Sequence, residues 1–118
     1  TVFAVCNGKY IFGLPGNPVS TFTTFELLVR PFLYNLMGME EKERFFTVSL
    51  NKKIIRKKCD RLFYYPIRFV ENDVVEPIDY HGSSHVDILT KLEGWLPIEI
   101  GTKCVNKDEQ VKIRCLHQ

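Results

Sequence analysis

The sequence has no apolar run near the roughly 18 uncharged residues that a membrane span needs, and its opening residues do not read as a signal peptide. No membrane span is expected, and the cysteine usage below is that of a cytoplasmic protein. It also lacks a strong charge bias. Sixteen Lys and Arg stand against 14 Asp and Glu, a formal charge of +2, too mild to argue for a nucleic-acid partner. The four cysteines, Cys6, Cys59, Cys104 and Cys115, include no CxxC pair. Zinc sites need close ligand pairs, and a chain with an ordinary core needs no disulfide framework, so reduced thiols are expected. His81 and His85 are four apart, but Gly82 and two serines lie between them and no neighbouring carboxylate or thiolate completes a ligand set. The Gly-Lys-Ser/Thr ending of a phosphate loop, the Gly-x-Ser-x-Gly elbow, paired carboxylates and a Cys–His pairing are all missing. A complete active site usually carries such groups, so the chain reads as a binding or structural element.

The 118 residues fit one domain, or one domain and a piece of another. An apolar share of 45% and a charged share of 25% are those of a globular chain and exclude disorder, collagen and coiled coil. The chain opens at Thr1 directly into strand-like sequence, which suggests a part of something longer. Residues 2–6 and 9–14 read as strands around an Asn7-Gly8 turn, a strong hairpin signal. The run Tyr10-Ile11-Phe12 suggests a strand buried on both faces. Asn17 is suited to cap a helix with Pro18 in its first turn, running to about Met37 and stopped by Gly38. Pro31 should kink or split that helix near Val29-Arg30. Its apolar residues wrap most of the cylinder, so it belongs inside a larger body: an absent domain or another subunit.

Residues 39–44 are polar and mark a boundary between a first segment, 1–38, and a second, 45–118. Beyond them Phe46, Val48 and Leu50 alternate with Thr47, Ser49 and Asn51, a half-buried strand. Further strands are expected near 62–70, 73–77, 103–106 and 110–116, with a short helix over 84–92. The second segment therefore reads as a small, mainly β domain, a barrel or a sandwich, preceded by a strand–loop–helix piece of an α/β domain.

Three stretches could carry chemistry. Gly13-Leu14-Pro15-Gly16-Asn17-Pro18 takes a strand end into a helix N-terminus, where free N–H groups and the dipole favour an anion; the same pattern also makes a rigid turn with no ligand. Lys52, Lys53, Arg56, Lys57, Lys58 and Arg61, opposed by Asp60, form a basic run. Lysines of this kind commonly protect a sheet edge, while an arginine can grip a phosphate or carboxylate in bidentate fashion. His81-Gly-Ser-Ser-His85 offers hydroxyls and N–H groups, or simply a serine-capped helix.

The run Phe12-Gly-Leu-Pro-Gly-Asn-Pro-Val-Ser20, followed by Thr24-Phe-Glu-Leu-Leu-Val-Arg-Pro31, resembles the molybdopterin molybdenumtransferases, the family of bacterial MoeA and the gephyrin E domain. Arg61-Leu-Phe-Tyr-Tyr-Pro-Ile-Arg68 resembles that family's Arg-x-x-Phe-x-Pro-x-Arg strand, and His81-Gly-Ser-Ser-His85 its Gln-Gly-Ser turn. Leu89 to Pro97 resembles its short helix, glycine and strand. The resemblance implies the end of the third domain and all of the barrel-like fourth domain of an enzyme that inserts molybdate into adenylated molybdopterin. It implies substrate contacts from Pro15, Gly16, Asn17, Pro18 and Ser20, from Arg61 or Arg68, and from Ser83, with no catalytic residue and no metal ligand here. Mg2+ and molybdate are expected for the full-length enzyme and neither for this part alone, which should be inactive by itself. The implied partners are the missing N-terminal domains and the second subunit of a homodimer. The alternative implied by gephyrin is a protein-interaction scaffold.

Overall fold

A computed structural model describes residues 1–79 and 85–116. The chain divides into two compact units, Thr1–Lys42 and Glu43–Gln118. Among the described residues no helix is long and apolar enough to cross a membrane.

The first unit begins with a hairpin of β1 (Val2–Cys6) and β2 (Lys9–Gly13). Asn7 and Gly8 take φ of 51° and 72° between the paired residues Cys6 and Lys9. Two positive φ angles match the right-handed twist of the flanking strands. Phe3, Tyr10 and Phe12 meet the ring of Phe32, at centroid distances of 5.6, 4.9 and 5.2 Å. The expectation of a strand buried on both faces is corrected here. Ile11 is exposed on the face that Phe32 leaves uncovered, and Tyr10, on the covered face, is only partly shielded by that ring.

The helical segment runs as α1 (Pro18–Thr24), a π-helical turn (Phe25–Val29) and α2 (Arg30–Leu36). Pro31 does not break it. Proline removes an N–H and crowds the carbonyl four residues back. The preceding turn widens instead, and the Arg30 N–H reaches the Phe25 carbonyl. Gly38 follows at φ 73°, the left-handed geometry that ends a helix. Of the apolar residues wrapped round this segment, Phe25, Leu28, Leu33, Leu36 and Met37 are exposed. Glu26 is buried and pairs with Arg30, which also lies 3.3 Å from Glu41.

The second unit is a closed five-stranded barrel. Its strands are β3 (Phe45–Leu50), β5 (Phe63–Glu71), β6 (Val74–Pro77), β7 (Gly94–Ile98) and β9 (Gln110–Cys115), with a two-residue pair, β4 (Ile54–Ile55) and β8 (Cys104–Val105), beside them. The order around the barrel is β3-β6-β5-β7-β9. Only β3–β6 is parallel, and β7 closes on β9 through two registered pairs, Gly94↔Cys115 and Trp95↔Arg114. The core gathers Leu50, Ile67, Val75, Leu96, Ile98 and Ile113 from all five strands. A helix, α3 (His85–Lys91), precedes β7 and buries Ile88. The fold is mainly β with a strand–loop–helix unit before it, and the choice between barrel and sandwich falls to the barrel.

Candidate functional site

The Pro15–Ser20 loop lies in the first unit. Asn17 sits at φ −71°, ψ 125°, and its side-chain oxygen accepts from the N–H groups of Val19 (3.0 Å) and Ser20 (3.3 Å). The Asn17 carbonyl accepts from the Thr21 N–H (2.8 Å) and hydroxyl (2.9 Å), and the same hydroxyl bonds the Pro15 carbonyl. This corrects the expectation of free donors. Pro18 has no N–H, and Asn17 already occupies those of Val19 and Ser20. What the loop offers a ligand is a stiff outline with Gly16, Asn17, Pro18 and Ser20 exposed, and open space above Gly16 where a side chain would stand.

In the second unit the basic run forms a cavity of about 430 Å³, with Lys57, Lys58, Arg61, Phe63 and Tyr65 in its walls and Asp60 as its one carboxylate. The segment between β4 and β5 has no regular hydrogen-bond ladder, so something else must fix it. Arg56 does so. Its Nε donates to the Lys58 carbonyl (3.1 Å), and its Nη1 to those of Ile98 (3.3 Å), Glu99 (3.1 Å) and Thr102 (3.3 Å). Its Nη2 donates to the Arg61 carbonyl. Arg56 is thus half-buried among main-chain oxygens, not part of a solvated lysine edge. Arg61 is exposed on the cavity wall. A smaller cavity of about 240 Å³ shares Ile55 and Tyr65 and adds Lys52, Lys53 and Asp79. Burial pushes the Tyr65 phenol up, and the field of Asp79 pushes it further.

Arg68 faces Glu76 across the β5–β6 ladder, pairs with it through Nε, and lines neither of these cavities. Of the two arginines left open by the sequence, Arg68 has its charge matched, and Arg61 is the one on the cavity. Burial alone would raise the Glu76 carboxyl. The Arg68 hydrogen bond and charge, Lys52 and Asn51 outweigh it and hold the group below its ordinary value. A depressed carboxylate stabilises the fold above its unfolded pKa, about 4.3, and that share is lost as pH falls through the lower folded value. Glu76→Gln should therefore flatten the acid side of the stability–pH curve and leave its slope near neutrality unchanged, measured by urea unfolding between pH 3 and 7.

His81 and Ser83 lie outside the described residues. The four cysteines are unpaired. Among the described residues no three His, Cys, Asp or Glu side chains gather as a metal-ligand set. Sequence reasoning missed the bracing role of Arg56. Its one signal was an arginine placed among lysines, because only the guanidinium offers a planar fork of five donors.

Fold and site define a small β-barrel domain with an arginine-braced cationic cavity, preceded by a hairpin, a proline-stiffened loop and a helix. No family model matches the chain. Over 117 residues it is 29% identical to the molybdopterin molybdenumtransferase of Haemophilus influenzae, across 94% of this chain and 29% of that protein. A 38-residue stretch, 32% of this chain and 9% of the relative, is 53% identical to the molybdopterin molybdenumtransferase of Staphylococcus epidermidis. Among solved structures, the molybdopterin biosynthesis MoeA protein of Pyrococcus horikoshii superposes with a TM-score of 0.83 at 31% identity, over 96% of this chain and 28% of that one. A second structure from that organism gives 0.74 at 26%, over 86% and 26%. Along most of its length the chain is similar to molybdopterin molybdenumtransferases, the MoeA proteins, and corresponds to a C-terminal part of them. It spans a little under a third of the length of the relatives that it matches along most of its own.

Proposed function

We propose that the chain serves molybdenum cofactor biosynthesis in the cytoplasm as the C-terminal part of an enzyme that inserts molybdate into adenylated molybdopterin. The observation that carries this reading is the braced cationic cavity with Arg61 on its wall, in a chain whose relatives bear the transferase name. Its part is to bind and orient. A guanidinium can take two oxygens of a phosphate or molybdate at once, and Lys57 and Lys58 add positive field around it. The Pro15–Ser20 loop, its shape set beforehand by Asn17 and Thr21, lends the exposed Ser20 hydroxyl and the open side of Gly16. Ser83 is the further hydroxyl assigned to this substrate. Among the described residues no donor cluster would hold the Mg2+ ion expected of the full-length enzyme. Further substrate contacts come from the missing domains and a second subunit. The exposed Phe25, Leu28, Leu33 and Leu36 are apolar surface of the kind that such neighbours cover.

The test is a chimera in which this chain replaces the C-terminal part of the Haemophilus relative, expressed in cells lacking their own molybdenumtransferase. Molybdoenzyme activity should return, and Arg61→Ala should lower it by about tenfold or more, as expected for loss of a charge-assisted bidentate contact. A folded chimera that restores nothing would sink the enzyme reading and favour a scaffold.

A further inference from the structure

We infer that Arg56 is a positioning residue, which sets the backbone of residues 57–61 in advance so that Lys57, Lys58 and Arg61 meet an oxyanion in a ready-made arrangement. The inference rests on the reading of Arg61 as a substrate contact. Three cationic side chains lie within five residues, opposed by Asp60 alone, and this stretch has no ladder to hold them. Its fixed points are few. The Arg56 N–H donates to the Lys103 carbonyl (2.7 Å), and the Gly101 N–H to the Cys59 carbonyl (2.8 Å). The other ties are the guanidinium bonds to Lys58 and Arg61 on one side and to Ile98, Glu99 and Thr102 on the other. One side chain thus staples the cationic segment to the end of β7 and the turn after it.

All five acceptors are carbonyl oxygens. The Arg56 charge is therefore solvated by dipoles rather than cancelled by a carboxylate, and its field adds to that of the cavity it lines. Without the staple, the segment would be ordered only when the ligand arrives, and that entropy would be subtracted from binding. Lysine keeps the charge but has three rotating donors on one nitrogen, so it cannot span the five carbonyls.

Titration calorimetry of the full 118-residue chain with inorganic pyrophosphate at low salt tests this. The variants are Arg61→Ala, Arg56→Lys and Arg56→Met, each held at a temperature where Trp95 fluorescence reports a folded barrel. Arg61→Ala should weaken binding about tenfold, and Arg56→Lys should weaken it about as much although the charge is kept. Amide exchange should rise in residues 56–62 and 98–103 of Arg56→Lys and be suppressed again by pyrophosphate. A residue that only stabilises the fold would lower the melting temperature and leave affinity in the folded state alone. If Arg56→Lys binds as the wild type does while Arg61→Ala is weakened, the positioning role is wrong and the reading of Arg61 stands. If the wild type binds no pyrophosphate, or Arg61→Ala binds equally well, the reading of Arg61 fails and takes this inference with it. Should Arg56→Met fail to fold, Arg56→Lys, which keeps the stem and the charge, decides the matter.

Discussion

Gly94→Ala should break the barrel at its seam. A Cβ at this position would stand 2.5 Å from the Arg114 carbonyl oxygen and 3.2 Å from the Cys115 Cα. Both are backbone atoms, so no side chain can swing aside to make room. The closure has little to spare, because the β7–β9 ladder has two registered pairs, Gly94↔Cys115 and Trp95↔Arg114, extended by the Leu116 N–H to the Glu93 carbonyl. Moving β9 away to admit the methyl group would take Ile113 and Trp95, 0% and 1% exposed, out of their packing. Overpacking against backbone and loss of core contacts together should cost on the order of 3–5 kcal/mol. Domains of this kind usually have about 5–15 kcal/mol in all. Urea unfolding followed by Trp95 emission should show a midpoint near collapse, or a solvent-exposed spectrum without denaturant. The cationic cavity should suffer too, since the far end of β7 supplies the Ile98 carbonyl that holds Arg56. A midpoint within the error of the wild type would mean that the seam flexes freely and that closure contributes little.

Local chemistry made parts of this fold legible. Asn7-Gly8 declares its hairpin because two successive positive φ angles admit few other pairs. Phe46 to Asn51 declares a half-buried strand by period, and Asn17 with Pro18 declares a helix start by capping chemistry. Other parts depend on partners distant in sequence. Gly-Trp-Leu-Pro-Ile shows no alternation and contains a proline, so it reads as a strand only through resemblance. It is nevertheless β7, since Gly94, Trp95, Leu96 and Ile98 are all buried. The preference for a barrel over a sandwich rests on two residue pairs that join Gly94 and Trp95 to positions about twenty residues on, and no local pattern encodes that. The π-helical turn was hidden for a different reason. Proline announces a disturbance but not whether the chain will bend, break or widen.

The site divides in the same way. The resemblance left Arg61 and Arg68 open, and the sequence does not show that Arg68 pairs with Glu76 across the ladder while Arg61 stays exposed. The bracing by Arg56 involves carbonyls up to 46 residues away, and a carbonyl carries no sequence signature. In the Pro15–Ser20 loop the capping residue was legible and its consequence was not. The N–H groups that make a helix start attractive to an anion are the ones a good cap consumes.

Arg30→Met should be the most damaging substitution in the first unit, because it removes the cation between two shielded carboxylates. Arg30 Nη1 lies 3.4 Å from Glu26 Oε1, and its Nε 3.3 Å from Glu41 Oε1. The two acidic side chains are only 8% and 6% exposed, against 27% for the arginine. Burial opposes the Arg30 charge, but the Tyr34 hydrogen bond and the charge of Glu26 outweigh it, so its pKa is raised. The Tyr34 ring also lies 5.6 Å from the guanidinium carbon. Taking one partner from a buried ion pair typically costs about 3–5 kcal/mol, since the other charge remains out of water. Here two charges remain on one helix and the segment after it. Amide exchange across residues 18–36 should accelerate strongly, while Trp95, which belongs to the other unit, serves as an internal control. The triple replacement Glu26→Leu, Arg30→Met, Glu41→Leu separates charge from shape. If stranded charge is the cause, the triple variant should recover most of the protection that Arg30→Met loses, because apolar groups of similar volume often substitute for a buried triad at little cost. If the triple variant exchanges as fast as the single one, the arginine acts through its packing on Tyr34, and the loss belongs to the stem and the ring rather than to the ions.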